Sequence, residues 1–230
     1  MRVAAVLVAA AALGLSPTAA SAAKPAPARD WSKTVAATPE GGFRMGNPAA
    51  KVKLVEYGSL ACPHCRHFEE TGYKPLVQNY VRTGKVSYEF RNLLLNTPDI
   101  AVSLLAHCAG PGKFFPMSAE VFASQPQWEN KLIGLTDAQK AELEKMSNTD
   151  QIVRYAELAG FPQIAVKFGL TAAQQHQCLT DPKGLSRLVG ITEKAENSGV
   201  DHTPTFIING KVTDAALWED LEPQLKKAGA

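Results

Sequence analysis

The sequence predicts an α/β fold in which a block of helices interrupts a mixed sheet. Three observations predict it. Lys51 to Tyr57 has the alternation and β-branching of a strand (Val52, Leu54, Val55, Tyr57); a helical pattern from Cys65 to Val81 follows, and Val86, Tyr88 and Phe90 then alternate with Ser87 and Glu89 as a second strand. From about Pro98 to Pro182 the periods are helical, with no convincing strand. A strand pattern returns at Thr205 to Ile208 and runs into Asn209-Gly210, the strongest hairpin signal in the chain. The expected division is residues 31–97 for the first part of the sheet domain, 98–183 for an inserted helical domain and 184–230 for the second part.

From the start of the chain, Met1 and Arg2 precede an apolar, alanine-rich run from Val3 to Leu15, short for a bilayer span, and Ala20-Ser21-Ala22 supplies small residues for cleavage. Residues 1–22 therefore read as a signal peptide cut near Ala22 and Ala23, and the protein is expected to be periplasmic and soluble. A retained anchor is the alternative. There is no paired arginine and no cysteine at the cleavage point for lipid attachment. The 230-residue chain carries a net charge of +2, and loss of Arg2 leaves 23 basic against 22 acidic residues. Such a balance does not point to nucleic acid. Residues 23–30, with Lys24-Pro25-Ala26-Pro27-Ala28, lack the apolar content to fold and read as a disordered linker.

In the first part, Pro75 is expected to kink the Cys65 to Val81 helix, or to divide it near Gly72, and Thr83-Gly84-Lys85 to end it. The two strands then flank a helix as a right-handed βαβ unit. Asn96-Thr97-Pro98-Asp99 opens a helix running to His107, Cys108 and Ala109, and Gly110-Pro111-Gly112, Gln125-Pro126 and Gly160-Phe161-Pro162 punctuate the helical block. Its apolar faces are assigned to Met117, Val121 and Phe122, to Ile152, Tyr155, Ala156 and Ala159, and to Ile164, Val166 and Phe168, with Trp128 and Leu132 capping the packing; all are expected in the core. Leu185 to Asn197 is a further helix. After the Asn209-Gly210 turn, Lys211 to Thr213 starts the returning strand, and Asp214 is expected to cap a last helix carrying Leu217, Trp218, Leu221 and Leu225.

The chemistry is concentrated where the first strand runs into Cys62-Pro63-His64-Cys65. Cysteines three apart at a helix start can close a small disulfide ring, and the first should project towards solvent as the attacking thiol. A thiolate there receives unpaired backbone N–H groups and the positive end of the helix dipole, so the pKa of Cys62 should fall. His64 can add a hydrogen bond or a positive charge, and Pro63 occupies a position where a missing N–H costs nothing. A stabilised thiolate is a good leaving group, so such a pair tends to oxidise its partners.

Cys62-Pro63-His64-Cys65 resembles the active site of the DsbA-type thiol:disulfide oxidoreductases, a branch of the thioredoxin superfamily. Glu56, six residues before Cys62, matches the buried acid that the family places beneath its redox site, Gly46-Asn47-Pro48-Ala49-Ala50-Lys51-Val52 is similar to the lead-in of a bacterial subgroup, and His202-Thr203-Pro204-Thr205-Phe206 matches the family's cis-proline loop. The resemblance covers most of the mature chain. It implies a thioredoxin fold with an inserted helical domain, and an enzyme that introduces disulfide bonds into secreted or periplasmic proteins. Its substrates would be unfolded or reduced exported proteins and its membrane redox partner would be of the DsbB type. No cofactor and no metal are expected, and the protein is expected to act as a monomer. Thr203 departs from the valine of many dedicated oxidases and matches isomerases, so an isomerase or reductase of the same fold is the competing reading.

Glu56, if buried, would have a raised pKa and could take a proton from Cys65 through water. His202 and the backbone of Thr203, beside a cis Pro204, are placed to meet a substrate strand, whereas His67 is expected to be exposed. Cys108 and Cys178 lie in apolar helical contexts, and an even cysteine count in an oxidising compartment predicts a structural disulfide between them; two buried free thiols are the alternative. A metal-binding module using Cys62, Cys65 and His64 or His67 is a weaker reading, because there is no second close cysteine pair. A non-catalytic binding domain would more plausibly have lost a cysteine.

Overall fold

The computed structural model describes residues 29–230 together with residues 4 and 5. The expected signal peptide, and the linker up to residue 28, lie outside the described residues apart from those two. Arg29 and Asp30, assigned to the linker, are placed: the Arg29 guanidinium lies 4.0 Å over the Trp31 ring, and Asp30 accepts hydrogen bonds from the Ser32 backbone and hydroxyl.

The fold is α/β, with one six-stranded sheet ordered β1-β2-β4-β3-β5-β6. Its strands are β1 (Val35–Ala37), β2 (Phe43–Gly46), β3 (Val52–Gly58), β4 (Val86–Asn92), β5 (Thr205–Ile208) and β6 (Lys211–Val212). β3 pairs parallel with β4, which requires the crossover helix between them, and antiparallel with β5 on its other side. Glu56 consequently stands opposite both Phe90 and Phe206, in the middle of the sheet. The β5–β6 hairpin turns at Asn209 and Gly210, both at positive φ, as the Asn-Gly signal requires. The sequence reading lacks β1 and β2. Their alternation is short, and only pairing of β2 with β4 makes Phe43 and Met45 core residues.

The crossover begins as α1 (Pro63–Phe68) and continues without a break through a π-helical stretch (Glu69–Tyr73), α2 (Lys74–Leu76) and a second π-helical stretch (Val77–Val81). Pro75 therefore neither divides nor ends the helix. The wide turns before and after it accommodate its ring and its missing N–H. Gly72 marks close packing, since a Cβ there would meet the Phe68 ring at 2.5 Å and Trp218 at 3.0 Å.

Between β4 and β5 lie α3 (Thr97–Cys108), α4 (Pro111–Ala123), α5 (Gln125–Ile133), α6 (Asp137–Glu144), α7 (Asn148–Ala159), α8 (Phe161–Lys167), α9 (Ala172–Leu179) and α10 (Pro182–Asn197). Trp128 meets Phe161 edge-on at 5.2 Å, and Phe114 joins Phe43, Phe90 and Phe115 in an aromatic cluster that binds the helices to the sheet. Val166 is 61% exposed, contrary to its core assignment. Residues two apart on a helix point in nearly opposite directions, so Val166 cannot share a face with Ile164 and Phe168. At the C-terminus, α11 (Trp218–Lys227) is not capped by Asp214, whose carboxylate instead accepts from the Gln224 side chain at 2.8 Å; Leu217 precedes the helix and is 40% exposed. Among the described residues no helix is long and apolar enough to cross a membrane.

Cys108, at the end of α3, is bonded to Cys178 on α9, closing a loop with a sequence separation of 70. Beside it His107 is held neutral, its pKa lowered to about 3 by burial and by the nearby Arg187, while its Nε2 hydrogen-bonds Asn92 Oδ1 at 2.8 Å. Replacing Cys108 and Cys178 together by serine is expected to reduce the free energy of unfolding by about 4 kcal/mol, the chain-entropy value for a loop of this length. Urea denaturation of the double variant against the parent checks it.

Candidate active site

The site starts at the C-terminal end of β3, in the middle of the sheet. Gly58 passes so close to Phe90 that a Cβ would lie 2.6 Å from its ring. A turn then carries the chain from Ser59 to Cys62, closed by the Cys62 N–H donating to the Ser59 carbonyl at 3.2 Å. Cys62 has extended backbone angles and caps α1, with Pro63 as the first helical residue.

Cys62 is buried rather than projecting into solvent, being only 4% exposed; its neighbours Pro63 and His64 are exposed. Its sulfur accepts the Cys65 backbone N–H at 3.4 Å and lies 3.4 Å from the Thr203 carbonyl oxygen, to which the thiol donates. A hydrogen bond from the Cys65 side chain, a side-chain hydrogen bond from Thr203 and the Cys65 and His64 backbone N–H groups outweigh burial and bring the Cys62 pKa down to about 5. His64 thus acts on the thiolate through its backbone. Among the described residues no hydrogen bond links its imidazole to Cys62. Cys65 behaves oppositely. Burial first, then the hydrogen bond given to Cys62 and the charge of Glu56, push its pKa well above the ordinary value.

Beneath the pair, Glu56 is 2% exposed and accepts a hydrogen bond from the Tyr88 hydroxyl at 2.6 Å. Burial raises its pKa to about 8; Tyr88 opposes this, and the charges of Glu69 and Cys62 add to it. Glu69 is a second acid, also raised to about 8 by burial. Tyr73 and Tyr88 are raised too, chiefly by burial and then by these acids. Glu56, Glu69, Tyr73 and Tyr88 are therefore neutral over much of the neutral range.

The second loop arrives ahead of β5. The Thr203–Pro204 peptide is cis, Pro204 is buried, and Thr203 is half-buried with its carbonyl on Cys62. His202 turns its ring to Asp201 at 2.9 Å in the open, while its carbonyl accepts from the Thr205 hydroxyl at 2.7 Å. His67 is exposed. Cys62, Cys65, Glu56, Thr203 and Pro204 thus come together, whereas Cys108 and Cys178 are bonded elsewhere, between α3 and α9.

Three residues at the site are missing from the sequence reading. Glu69 follows Cys65 by four positions on the same helix face, a spacing that could have identified it. Gln125, fully buried at the start of α5, donates from Nε2 to the Leu60 carbonyl at 3.1 Å. Asp99, also fully buried, receives the Ser59 hydroxyl at 2.6 Å and the Leu60 N–H at 3.1 Å. The last two carry no local signal.

A family model described as Thioredoxin matches residues 38–227. Among solved structures, a protein-disulfide isomerase from Novosphingobium aromaticivorans is 31% identical, with 81% of this chain and 97% of that one covered and a TM-score of 0.76. Wolbachia pipientis alpha-DsbA1 shares the fold at 22% identity, with coverages of 81% and 90% and a TM-score of 0.66. A Rickettsia bellii protein named as a protein-disulfide oxidoreductase is 27% identical over 194 residues, 82% of this chain and 65% of the relative. The chain thus spans slightly less than two thirds of the length of such curated relatives.

The buried acid has a consequence for stability. Ionising Glu56 opposes folding, so its contribution is unfavourable above the carboxylate's ordinary value of 4.5 and reaches its full size only above about 8. Glu56→Gln is expected to be more stable than the parent at neutral pH, with a gain that grows as pH rises through this window. Urea unfolding of both proteins across the window checks it, and a constant difference would contradict the assignment.

Proposed function

The chain belongs to the thioredoxin family, and we propose that it is a DsbA-like thiol:disulfide oxidoreductase that introduces disulfide bonds into exported proteins. The observation that carries the reading is the opposite displacement of the two sulfurs, Cys62 down to about 5 and Cys65 well above the ordinary thiol value. A thiolate stabilised in the dithiol form favours that form, and so favours taking electrons from a substrate.

In the proposed cycle a substrate thiolate attacks the Cys62 sulfur of the oxidised pair. The Cys62–Cys65 bond breaks, a substrate–Cys62 mixed disulfide forms, and the Cys65 sulfur leaves as a thiolate. Its high proton affinity requires a proton at once, and Glu56, protonated around neutrality, is the nearby acid that could supply it. A second substrate thiolate then attacks the substrate sulfur of the mixed disulfide, and Cys62 departs as the stabilised thiolate. The substrate loses two electrons and the Cys62–Cys65 pair gains them. Thr203, with its backbone at the cysteine, is the residue we assign to a bound substrate strand. His202 would lie at the edge of that contact, through its backbone rather than its ring.

Reoxidation requires an electron acceptor, for which we propose a membrane partner of the DsbB type. From the apolar N-terminal run we propose a periplasmic location, and from the family resemblance alone action as a monomer. Isomerisation is the second reading, favoured by the similarity to the Novosphingobium aromaticivorans protein-disulfide isomerase and by Thr203 ahead of Pro204.

The equilibrium reduction potential of the Cys62–Cys65 pair against glutathione tests the direction. A value towards about −120 mV is expected; one near about −270 mV, as in thioredoxin, would overturn the oxidase reading. Cys65→Ala is expected to accumulate a mixed disulfide at Cys62 with a reduced substrate under oxidising conditions, while Cys62→Ala should trap none. Non-reducing gels followed by mass spectrometry check both.

A further inference from the structure

The turn that delivers Cys62 to the helix is held from outside its own segment. Asp99, the third residue of α3, is fully buried, and its backbone N–H is taken by Asn96 Oδ1 at 3.0 Å. Its carboxylate is surrounded by donors. Oδ2 accepts the Ser59 hydroxyl at 2.6 Å and the Leu95 N–H at 3.1 Å, and Oδ1 accepts the Leu60 N–H at 3.1 Å and the Ser103 hydroxyl at 3.3 Å. The Ser59 oxygen in turn receives the Ala61 N–H at 3.0 Å, and the Ser59 carbonyl receives the Cys62 N–H at 3.2 Å. The backbone donors of Leu60, Ala61 and Cys62 therefore all end on Asp99 or on the serine that Asp99 holds.

A helix start does not require this. Asn96 already caps α3, and a carboxylate removed from water is costly unless its oxygens are filled. Two of the four donors come from a loop 39 and 40 positions earlier in the chain. We propose that Asp99 is a positioning residue for Cys62: by fixing the Ser59–Cys62 turn it sets the Cys62 sulfur against the Cys65 N–H and the Thr203 carbonyl. The assignment rests on the reading of Cys62 and Cys65 as the redox pair, and concerns where the reactive sulfur stands rather than any contact with substrate. Ser59 is the intermediary, since it both donates to the carboxylate and accepts from the turn.

Asp99→Asn keeps the shape but replaces one acceptor oxygen with a donor, so it cannot satisfy all four partners. Ser59→Ala removes the intermediary and leaves the carboxylate in place. Thiolate absorbance of Cys62 against pH and the reduction potential of the pair are to be measured on the parent and both variants, with melting temperatures recorded alongside. The Cys62 pKa is expected to rise by about one unit in Asp99→Asn, a tenfold loss of thiolate at a pH below both values, and by less in Ser59→Ala, with the potential becoming less oxidising in the same order. Cys62 titrating as in the parent in both variants, whatever their melting temperatures, overturns the proposal. If Asp99→Asn does not fold, Ser59→Ala alone decides. A parent Cys62 that titrates as an ordinary thiol would instead sink the redox reading on which the proposal stands, and is distinguished by needing no variant.

Discussion

The passage from strand to helix constrains the arrangement around the cysteines more than any other feature. β3 lies in the sheet interior with a partner on each side, and within a few residues of its end the chain must enter a helix whose capping group is a sulfur. The backbone groups in that passage are buried, and each needs a partner. Gly58 supplies the closeness to Phe90, Ser59 and Asp99 take the donors of the turn, and Gln125 takes the Leu60 carbonyl. Two of those partners come from α3 and α5, so the helices between the sheet's two parts complete the loop that holds the Cys62 sulfur.

Electrostatics under the pair follow from the same burial. Cys62 and Cys65 are both buried, yet their proton affinities move apart. The sulfur at the helix start receives hydrogen bonds, and the deeper one gives a hydrogen bond and faces an acid. Glu56 and Glu69 have few compensating charges and favour their neutral forms at moderate pH. A neutral Glu56 is a proton source, and an ionised one would raise the Cys65 pKa further. The acid thus couples the protonation of the interior to the state of the cysteines, at some cost in stability when it is charged.

The disulfide between Cys108 and Cys178 belongs to a different part of the molecule, yet α3 reaches both. Asp99, Ser103 and His107 recur at four-residue spacing along that helix, and Asn92 at the end of β4 donates to the Ser103 hydroxyl and accepts from the His107 ring. One face of α3 is accordingly a largely buried polar seam running from the Ser59–Cys62 turn to the half-buried residue beside the second disulfide. Such a seam holds a helix in one rotation, because any slip would leave several buried groups unpaired.

The sequence by itself determined the βαβ unit, the helical block, the closing hairpin and the helix-start spacing that makes Cys62-Pro63-His64-Cys65 the candidate redox pair, because each is a local pattern of period, turn chemistry or spacing. It also pointed to Glu56, through the resemblance to a family that places a buried acid six residues before its first cysteine. Only the tertiary structure decided the β1–β2 hairpin, whose core faces exist only by pairing, and the uninterrupted passage of the helix through Pro75, whose strain neighbouring π-helical turns absorb. It likewise buried Cys62 under the Thr203 carbonyl and exposed Val166. Asp99 is the sharpest case. In the sequence Asn96-Thr97-Pro98-Asp99 is a helix start and nothing more, and the donors that give the carboxylate its second task arrive from Ser59 and Leu60 once the chain has folded. A carboxylate's role is set by what surrounds it, and its surroundings here are non-local.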